Sequence, residues 1–340
     1  MLSFNEIFAD STKYCKKIKT DEYHETGKNM IVDQGQSEIA GYTDLEEGLF
    51  SDVPAIIFGD HTRIIKYVDK PFFIGADGVK VLKSKLEKAN YRYLYYALKN
   101  VKIPNTGYNR HFKWLKETIF NYPNSDRQQE IVLILDKLQS IITHLRTQLE
   151  KLDLLVKARF VELFGDYHTN NKGFESHKGK DLFKFSSGRF LSEEKRFEKG
   201  IPVYGGNGIA WYTEKPLIDY PTIIIGRVGA WCGNIHTIYE PVWITDNAIY
   251  IKEQKTSKFT LEFLAELMKI MDFRQYADFS GQPKITQKPL ETLEYLTPPI
   301  NMQNEFTEFC KQIEKSKSIL QQELTQTQTL FNSLMQEYFA

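Results

Sequence analysis

The chain has 340 residues, 41% hydrophobic and 14% aromatic, and its 44 Lys+Arg balance 44 Asp+Glu. That length suits two to three domains with their own cores, and zero formal net charge excludes a polycation that coats nucleic acid or anionic lipid, so any nucleic-acid surface must be local. Three cysteines far apart (Cys15, Cys232, Cys310), no signal-like N-terminus and no run of 18 apolar residues point to a cytoplasmic protein with free thiols and no membrane partner.

The first half opens on a glycine turn followed by a Tyr-Thr-acid triplet, "IVDQGQSEIAGYTDLEEG" from Ile31, with Tyr42-Thr43-Asp44. A buried strand, "VPAIIFG" (53–59), and a second segment beginning with Pro, "PFFIGADGVKVL" from Pro71, come next. An amphipathic helix, "NYRYLYYALKN", and a glycine-centred polar loop, "PNTGYNRHFKWLKETIFNYP", close the half. The second half repeats this order: "VYGGNGIAWYTEKP" from Val203 with Tyr212-Thr213-Glu214, "YPTIIIG" (220–226), "PVWITDNAIYI" from Pro241, "TLEFLAELMKI" and "FSGQPKITQKPLETLEYLTPP". Pro54 and Pro221 stand 167 apart, Pro71 and Pro241 170, and Pro123 and Pro298 175. A slowly growing offset is what two divergent copies of one domain give when short insertions accumulate in loops.

Within the second copy, "DYPTIIIGRVGAW" looks like a strand entering a phosphate loop. It matches neither G-x-G-x-x-G nor G-x-x-x-x-G-K-[ST], and the β-branched and aromatic residues after Gly229 predict a second strand, hence a hairpin.

Each copy ends in a long amphipathic stretch of about 38 residues, on the order of 57 Å as a helix. The first places Ser125 or Asp126 as N-cap and repeats Ile131, Ile134, Leu138, Ile141, Leu145, Leu152 and Leu155, with one break at Gln148. The second carries Phe306, Phe309, Ile313, Leu320, Leu324, Leu330, Leu334 and Phe339, with Ser316 and Thr327 near the stripe. A helix of that length with one apolar stripe needs a partner, and the simplest is the other. The expected fold is α+β: two similar β-rich mixed α/β domains joined by two long helices in an antiparallel coiled coil, pseudo-twofold. The boundaries are 1–123 and 166–298 for the domains, 124–165 and 299–340 for the helices.

"IPVYGGNGIAWYTE", "TIIIGRVGAWCGNIH", "WITDNAIYI", "FSGQPKITQKPL" and "LTPPINMQNEF", with weaker first-half counterparts "TGYNRHFKWLKETIFNYP" and "DRQQEI", form an ordered set. Occurring twice and covering essentially the whole chain, it resembles the specificity subunit of Type I restriction-modification enzymes. The resemblance implies that each globular half is a target recognition domain reading one part of a split double-stranded DNA sequence. It implies helices that act as spacer and as docking surface for two methyltransferase subunits, with restriction and motor subunits in the full complex. S-adenosylmethionine, ATP and Mg belong to those partners, so this chain is expected to be non-catalytic, with no cofactor or metal of its own. The alternatives are a single-chain nuclease or methyltransferase with duplicated recognition domains, and a repeat-built scaffold that does not bind DNA.

The residue-level reading agrees with a non-enzyme. No Asn-Pro-Pro-Tyr, Asp-Pro-Pro-Tyr or Walker loop is present, Cys232 and His236 lack a second ligand pair, Asp60-His61 falls in a turn, and Glu193-Glu194-Lys195 reads as a solvated charge run. Base reading needs amides, hydroxyls and guanidinium groups in matching loops. The leading candidates are Asn105, Thr106, Tyr108, Asn109 and Arg110 around Gly107 in one half, and Ser280, Gln282 and Lys284 around Gly281 in the other. Next come Gln34, Gln36 and Asn207 at the glycine turns, with Tyr42 and Tyr212 behind them, then Arg63, Arg189 and Arg227.

Overall fold

A computed structural model describes residues 1–75, 77–107 and 109–339. The chain divides into two compact units, Met1–Arg146 with Gln322–Ala340, and Thr147–Gln321.

The first unit runs β1 (Leu2–Ser3), α1 (Phe4–Ile7), β2 (Phe8–Asp10), β3 (Asn29–Val32), β4 (Gly41–Thr43), β5 (Ala55–Gly59), β6 (Ile65–Val68), β7 (Phe72–Ile74), β8 (Val79–Ser84), α2 (Tyr91–Lys99), α3 (Phe112–Lys116) and β9 (Ile119–Phe120), then enters α4 (Ser125–Phe164). Its strands form a β2-β8-β5-β6 sheet, a β4-β3-β7 sheet and a β1-β9 pair. Strand β5 is buried along its whole length, and its side chains alternate between two cores. Ile56 and Phe58 face the layer containing Tyr93, Leu94, Tyr96 and Leu98 of α2, while Ala55 and Ile57 meet Val32, Phe72 and Ile74 of the smaller sheet. Two covered faces explain why the strand reads as a continuous apolar run.

The second unit comprises β10 (Ser176–Lys178), α5 (Gly179–Leu182), β11 (Phe183–Ser187), β12 (Ile201–Gly205), β13 (Gly208–Thr213), β14 (Thr222–Gly226), β15 (Ile235–Ile238), β16 (Trp243–Ile244), β17 (Ala248–Gln254), α6 (Leu261–Ile270), α7 (Gln287–Thr292), β18 (Glu294–Leu296) and α8 (Ile300–Phe339) as far as Gln321, together with α4 from Thr147. Its orders, β11-β17-β14-β15, β13-β12-β16 and β10-β18, repeat the first unit strand for strand. Ile223 and Ile225 face α6, and Ile224 faces the smaller sheet, as Ile56, Phe58 and Ile57 do. The two halves are one fold built twice.

The hairpin expected from "DYPTIIIGRVGAW" is β14 paired antiparallel with β15. Its glycines serve the turn: a Cβ on Gly226 would meet the Trp231 carbonyl at 2.2 Å, and Gly229 sits at φ +83.

Both long helices have 40 residues, about 60 Å each. In the first unit the start of α4 meets the end of α8, where the Arg127 guanidinium lies 5.2 Å from the centre of the Tyr338 ring. In the second, Arg159 binds Glu305 and Asp153 binds Lys317, each at 2.5 Å. Rising numbers on one helix meet falling numbers on the other, so the segments pack antiparallel in each unit.

The seam differs from the expected one by a single residue in places. Inward positions on α4 are Ile131, Leu135, Leu138, Ile142, Leu145, Leu149, Leu152 and Val156, an unbroken 3-4 alternation. Ile141 and Leu155, expected inside, are exposed, and Ile134 is half-buried beside buried Leu135. At the break assigned to Gln148, half-buried Leu149 continues the spacing, with Gln148 half-buried beside it. On α8, Phe306, Cys310, Ile313, Lys317, Leu320, Leu324, Thr327, Phe331 and Leu334 continue the alternation. Phe309 is half-buried under Arg159, and Leu330 is exposed because Phe331 holds the inner place. One residue turns a side chain by about 100°, so an apolar doublet fits two phases until a partner selects one. The N-cap also moves: Asn124, not Ser125 or Asp126, accepts the Arg127 amide at 3.0 Å. Among the described residues no helix is long and apolar enough to cross a membrane.

Candidate nucleic-acid interface

In each unit three connections converge beyond the central strand: the turn between the first two strands of the small sheet, the turn closing the central hairpin, and the polar loop before α3 or α7. The same backbone tether binds the last two. In the first unit the Asp60 carbonyl accepts the His111 amide at 2.8 Å, and in the second the Arg227 carbonyl accepts that of Ile285 at 2.9 Å. Residue Asp60 donates its amide to Gly78, and Arg227 to Asn247.

Loop lengths then make the two faces differ. The β3–β4 connection spans 33–40, against only 206–207 between β12 and β13, whereas the β5–β6 turn spans 60–64 against 227–234 between β14 and β15. Each unit lengthens a different loop around a common frame.

In the second unit, segment 278–284 closes on itself through mutual Asp278–Lys284 backbone bonds of 2.8 and 3.0 Å, and the Gly229 amide donates to the Pro283 carbonyl at 2.8 Å. Amide donation from Ser280 holds the Asp278 carboxyl below its ordinary range. This lobe, the Gly205–Gly208 turn and Trp231 enclose a cleft of about 470 Å³ whose lining includes Asn207 and Gln282. Two of the predicted readers are therefore brought together. Ser280 and Lys284 are exposed on the lobe, and Arg189 is exposed beside Gly188. Arg227 is half-buried, its guanidinium turned back to the Asp246 carbonyl at 3.2 Å. Tyr212 is half-buried and pairs through its backbone with Phe197. Next to it, Trp211 carries the Arg196 guanidinium 4.0 Å above its ring. Cys232 and His236 go separate ways, the thiol to the Arg227 carbonyl and the imidazole to the Gly206 carbonyl.

In the first unit Gln36 and Arg63 line a cleft of about 620 Å³ together with Lys99 and Lys102. Arg63 adopts φ +62 and donates to the Ile103 carbonyl at 3.4 Å. Gln34 acts as a strut: its amide nitrogen donates to the Asp77 carbonyl at 3.0 Å and its oxygen accepts the His61 amide at 3.2 Å. Behind the long loop, buried Lys66 donates to the Ser37 carbonyl at 2.5 Å and pairs with Asp33 at 3.5 Å. Its place in the second copy is taken by His236, which reaches the shorter turn. Asn105, Thr106, Asn109 and Arg110 are exposed, the loop folding on itself through Asn105 to the Gly107 amide, Asn109 to the Thr106 carbonyl, and Thr106 to the His111 ring. Tyr108 lies outside the described residues. Tyr42 is half-buried and pairs through its backbone with His24, as Tyr212 does with Phe197. Asp60 is buried, and its carboxylate accepts the Phe112 amide at 2.7 Å, so it caps α3 rather than serving as an acid or base.

Sequence reasoning missed Lys99, Lys102, Asn247 and Trp231. Lys99 closes a helix already assigned to the core, Lys102 lies just beyond that helix, and Trp231 lies in a segment read as strand. An excess of residues between β14 and β15 over the first copy was the available signal.

A duplicated frame presenting two different polar loop clusters is the architecture of a DNA specificity protein, and the chain belongs to the family of Type I restriction modification DNA specificity domains, whose model matches residues 4–153 and 171–328. It is 28% identical over 185 residues to the Type I restriction enzyme EcoprrI specificity subunit of Escherichia coli, covering 52% of this chain and 45% of that protein. With the EcoR124I/EcoR124II specificity subunit of the same organism it shares 29% over 155 residues, 42% of this chain and 38% of that protein. The aligned stretches span less than half of these relatives. Among solved structures, the S subunit of a Type I restriction-modification system from M. genitalium superposes with a TM-score of 0.63 at 19% identity, over 100% of this chain and 98% of that one. A chain from a structure on complex assembly and conformational transition of the type I R-M system gives 0.53 at 12%, over 97% and 96%. The fold is shared throughout both.

Proposed function

We propose that this chain is the non-catalytic specificity subunit of a Type I restriction-modification complex and reads a bipartite duplex DNA target, one half-site per globular unit. The observation that carries this is the pair of equivalent loop clusters on one frame, tethered alike at Asp60 and Arg227 yet carrying different side chains. Two readers with a common chassis and unlike loops suit a target whose halves differ. Exposed amides, hydroxyls and guanidinium groups at Gln36, Asn109, Arg110, Asn207, Ser280 and Gln282 supply donors and acceptors for base edges, and Lys99, Lys102 and Lys284 supply phosphate contacts. Because the chain carries no net charge, binding rests on these local groups and weakens steeply with salt.

The helices act as ruler and as docking surface for two methyltransferase subunits, with restriction and motor subunits in the full complex. Leu133, Leu154, Leu155, Ile319 and Leu330 expose apolar surface away from the seam, which suits partner helices. S-adenosylmethionine, ATP and Mg act in those partners. A bacterial cytoplasm is the compartment where such a complex meets its DNA.

Sequencing that maps methylated bases in a host expressing the methyltransferase partner, with and without this chain, tests the reading. A split motif that appears only with this chain is expected. Replacing loop 105–110 should alter one half-site, and replacing 280–284 the other. Loss of both from either exchange, in a chain that still folds, refutes the division of labour. Methylation or cleavage by this chain alone favours a single-chain enzyme.

A further inference from the structure

We propose that the cleft of the second unit reads a thymine in the major groove, with Trp231 sensing its methyl group. The inference rests on the reading of that unit as a DNA recognition domain.

Trp231 is 53% exposed and Ile209 50% exposed, and both line the cleft. Large apolar side chains held open to water beside polar groups mark a contact surface. The same cleft is lined by the amides of Asn207, Asn247 and Gln282. Its lining also includes Thr245, only 4% exposed, whose hydroxyl has no hydrogen-bond partner. An unsatisfied buried hydroxyl is relieved by a polar group entering the cleft. On its other side Trp231 borders a second cleft, about 360 Å³, whose lining includes Lys269, Asp272 and Arg274; Lys269 pairs with Glu266 at 2.6 Å and Arg274 donates to the Ala230 carbonyl, and both side chains reach solvent. The indole thus stands between amides and cations.

That order matches the edge of an A·T pair. Asn or Gln amides pair with adenine N6 and N7, an apolar side chain meets the thymine methyl, and cations take the flanking phosphates. A G·C pair has no methyl group and is read chiefly by Arg or Lys. Arg227, at the head of this connection, turns one guanidinium nitrogen to the Asp246 carbonyl and does not line this cleft, whose described walls carry neither Arg nor Lys. In the first unit the equivalent turn spans only 60–64 and carries no tryptophan, so the thymine reader belongs to the second unit alone.

The test uses the full chain with its methyltransferase partner and duplexes bearing the mapped target. Each thymine of the second half-site is replaced in turn by deoxyuridine, which removes only the methyl group. One position is expected to weaken wild-type binding about fourfold, the equivalent of one buried methylene. Trp231→Ala should bind the unmodified duplex about tenfold more weakly and be indifferent to deoxyuridine at that position, while Trp231→Phe keeps part of the sensitivity. Unchanged recognition of the first half-site shows that both variants are folded. Deoxyuridine tolerated everywhere by the wild type, or equal sensitivity in Trp231→Ala, overturns the assignment. Failure of the wild type to direct methylation to any motif removes the DNA reading itself, and is seen before any variant is made.

Discussion

Lys66 offers a separation of stability from recognition. Its side chain is 2% exposed, and its ammonium is held by the Ser37 carbonyl at 2.5 Å and Asp33 at 3.5 Å. Burial pushes its pKa below the ordinary lysine value of 10.5, with Asp33 opposing only in part, so the site disfavours the charge it contains. A charge-assisted hydrogen bond contributes about 1.5–3 kcal/mol, while burying an ammonium costs several kcal/mol, so the two nearly cancel in the folding free energy. Lys66→Met, of similar volume, is therefore expected to change global stability by no more than about 1 kcal/mol. The loss falls instead on segment 33–40, which loses its tether: local opening should become easier by about 2 kcal/mol, roughly thirtyfold faster amide exchange. Only the half-site read by the first unit should lose selectivity in methylation mapping. The pH dependence has a defined sign. The folded state binds the Lys66 proton less tightly than the unfolded state, so wild-type stability gains from this group as pH rises through the lowered folded value toward 10.5, and Lys66→Met lacks that gain. Urea titrations at neutral and alkaline pH, with hydrogen exchange, read both effects. Global destabilisation beyond about 3 kcal/mol with unchanged exchange in 33–40, or lost selectivity in the other half-site, would refute the reasoning.

Further outcomes are expected elsewhere. Gln303 donates to the carbonyls of Lys258 and Pro298 and accepts the Thr260 amide, so Gln303→Leu should destabilise the second unit by about 3 kcal/mol in urea titration, and Gln128→Leu, losing the Pro123 carbonyl, the first unit by less. Ile142→Arg buries a charge in the seam and should cost about 3 kcal/mol or more by thermal melting, whereas Ile141→Arg should leave melting nearly unchanged. Seven residues inserted near Leu145 and again near Leu324 keep the 3-4 seam and add about 10.5 Å, so mapped methylation should show a spacer about three base pairs longer between unchanged half-sites; an unchanged spacer contradicts the ruler.

Much of the fold was legible because duplication writes the same signals twice. "VPAIIFG" and "YPTIIIG" became β5 and β14, and the Tyr-Thr of each triplet closes β4 and β13, with the acid just beyond the strand. The candidate site was less so. Gln34 and Gln36 are two residues apart, yet one amide is consumed by Asp77 and His61 while the other is exposed in a cleft. Nothing local to residues 34–36 reports on a partner 43 positions away.

The sequence by itself determined the twofold repeat, the buried central strands and the two long amphipathic helices, since these rest on periodicity and composition within short windows. Tertiary structure alone decided which member of each apolar doublet enters the helix seam, which polar side chains are spent on backbone groups, and that the longer hairpin of the second copy carries Trp231 to the cleft. Those outcomes depend on non-local hydrogen bonds and on packing partners far away in the chain, where a shift of one residue or one partner reverses the result at no cost to the local pattern.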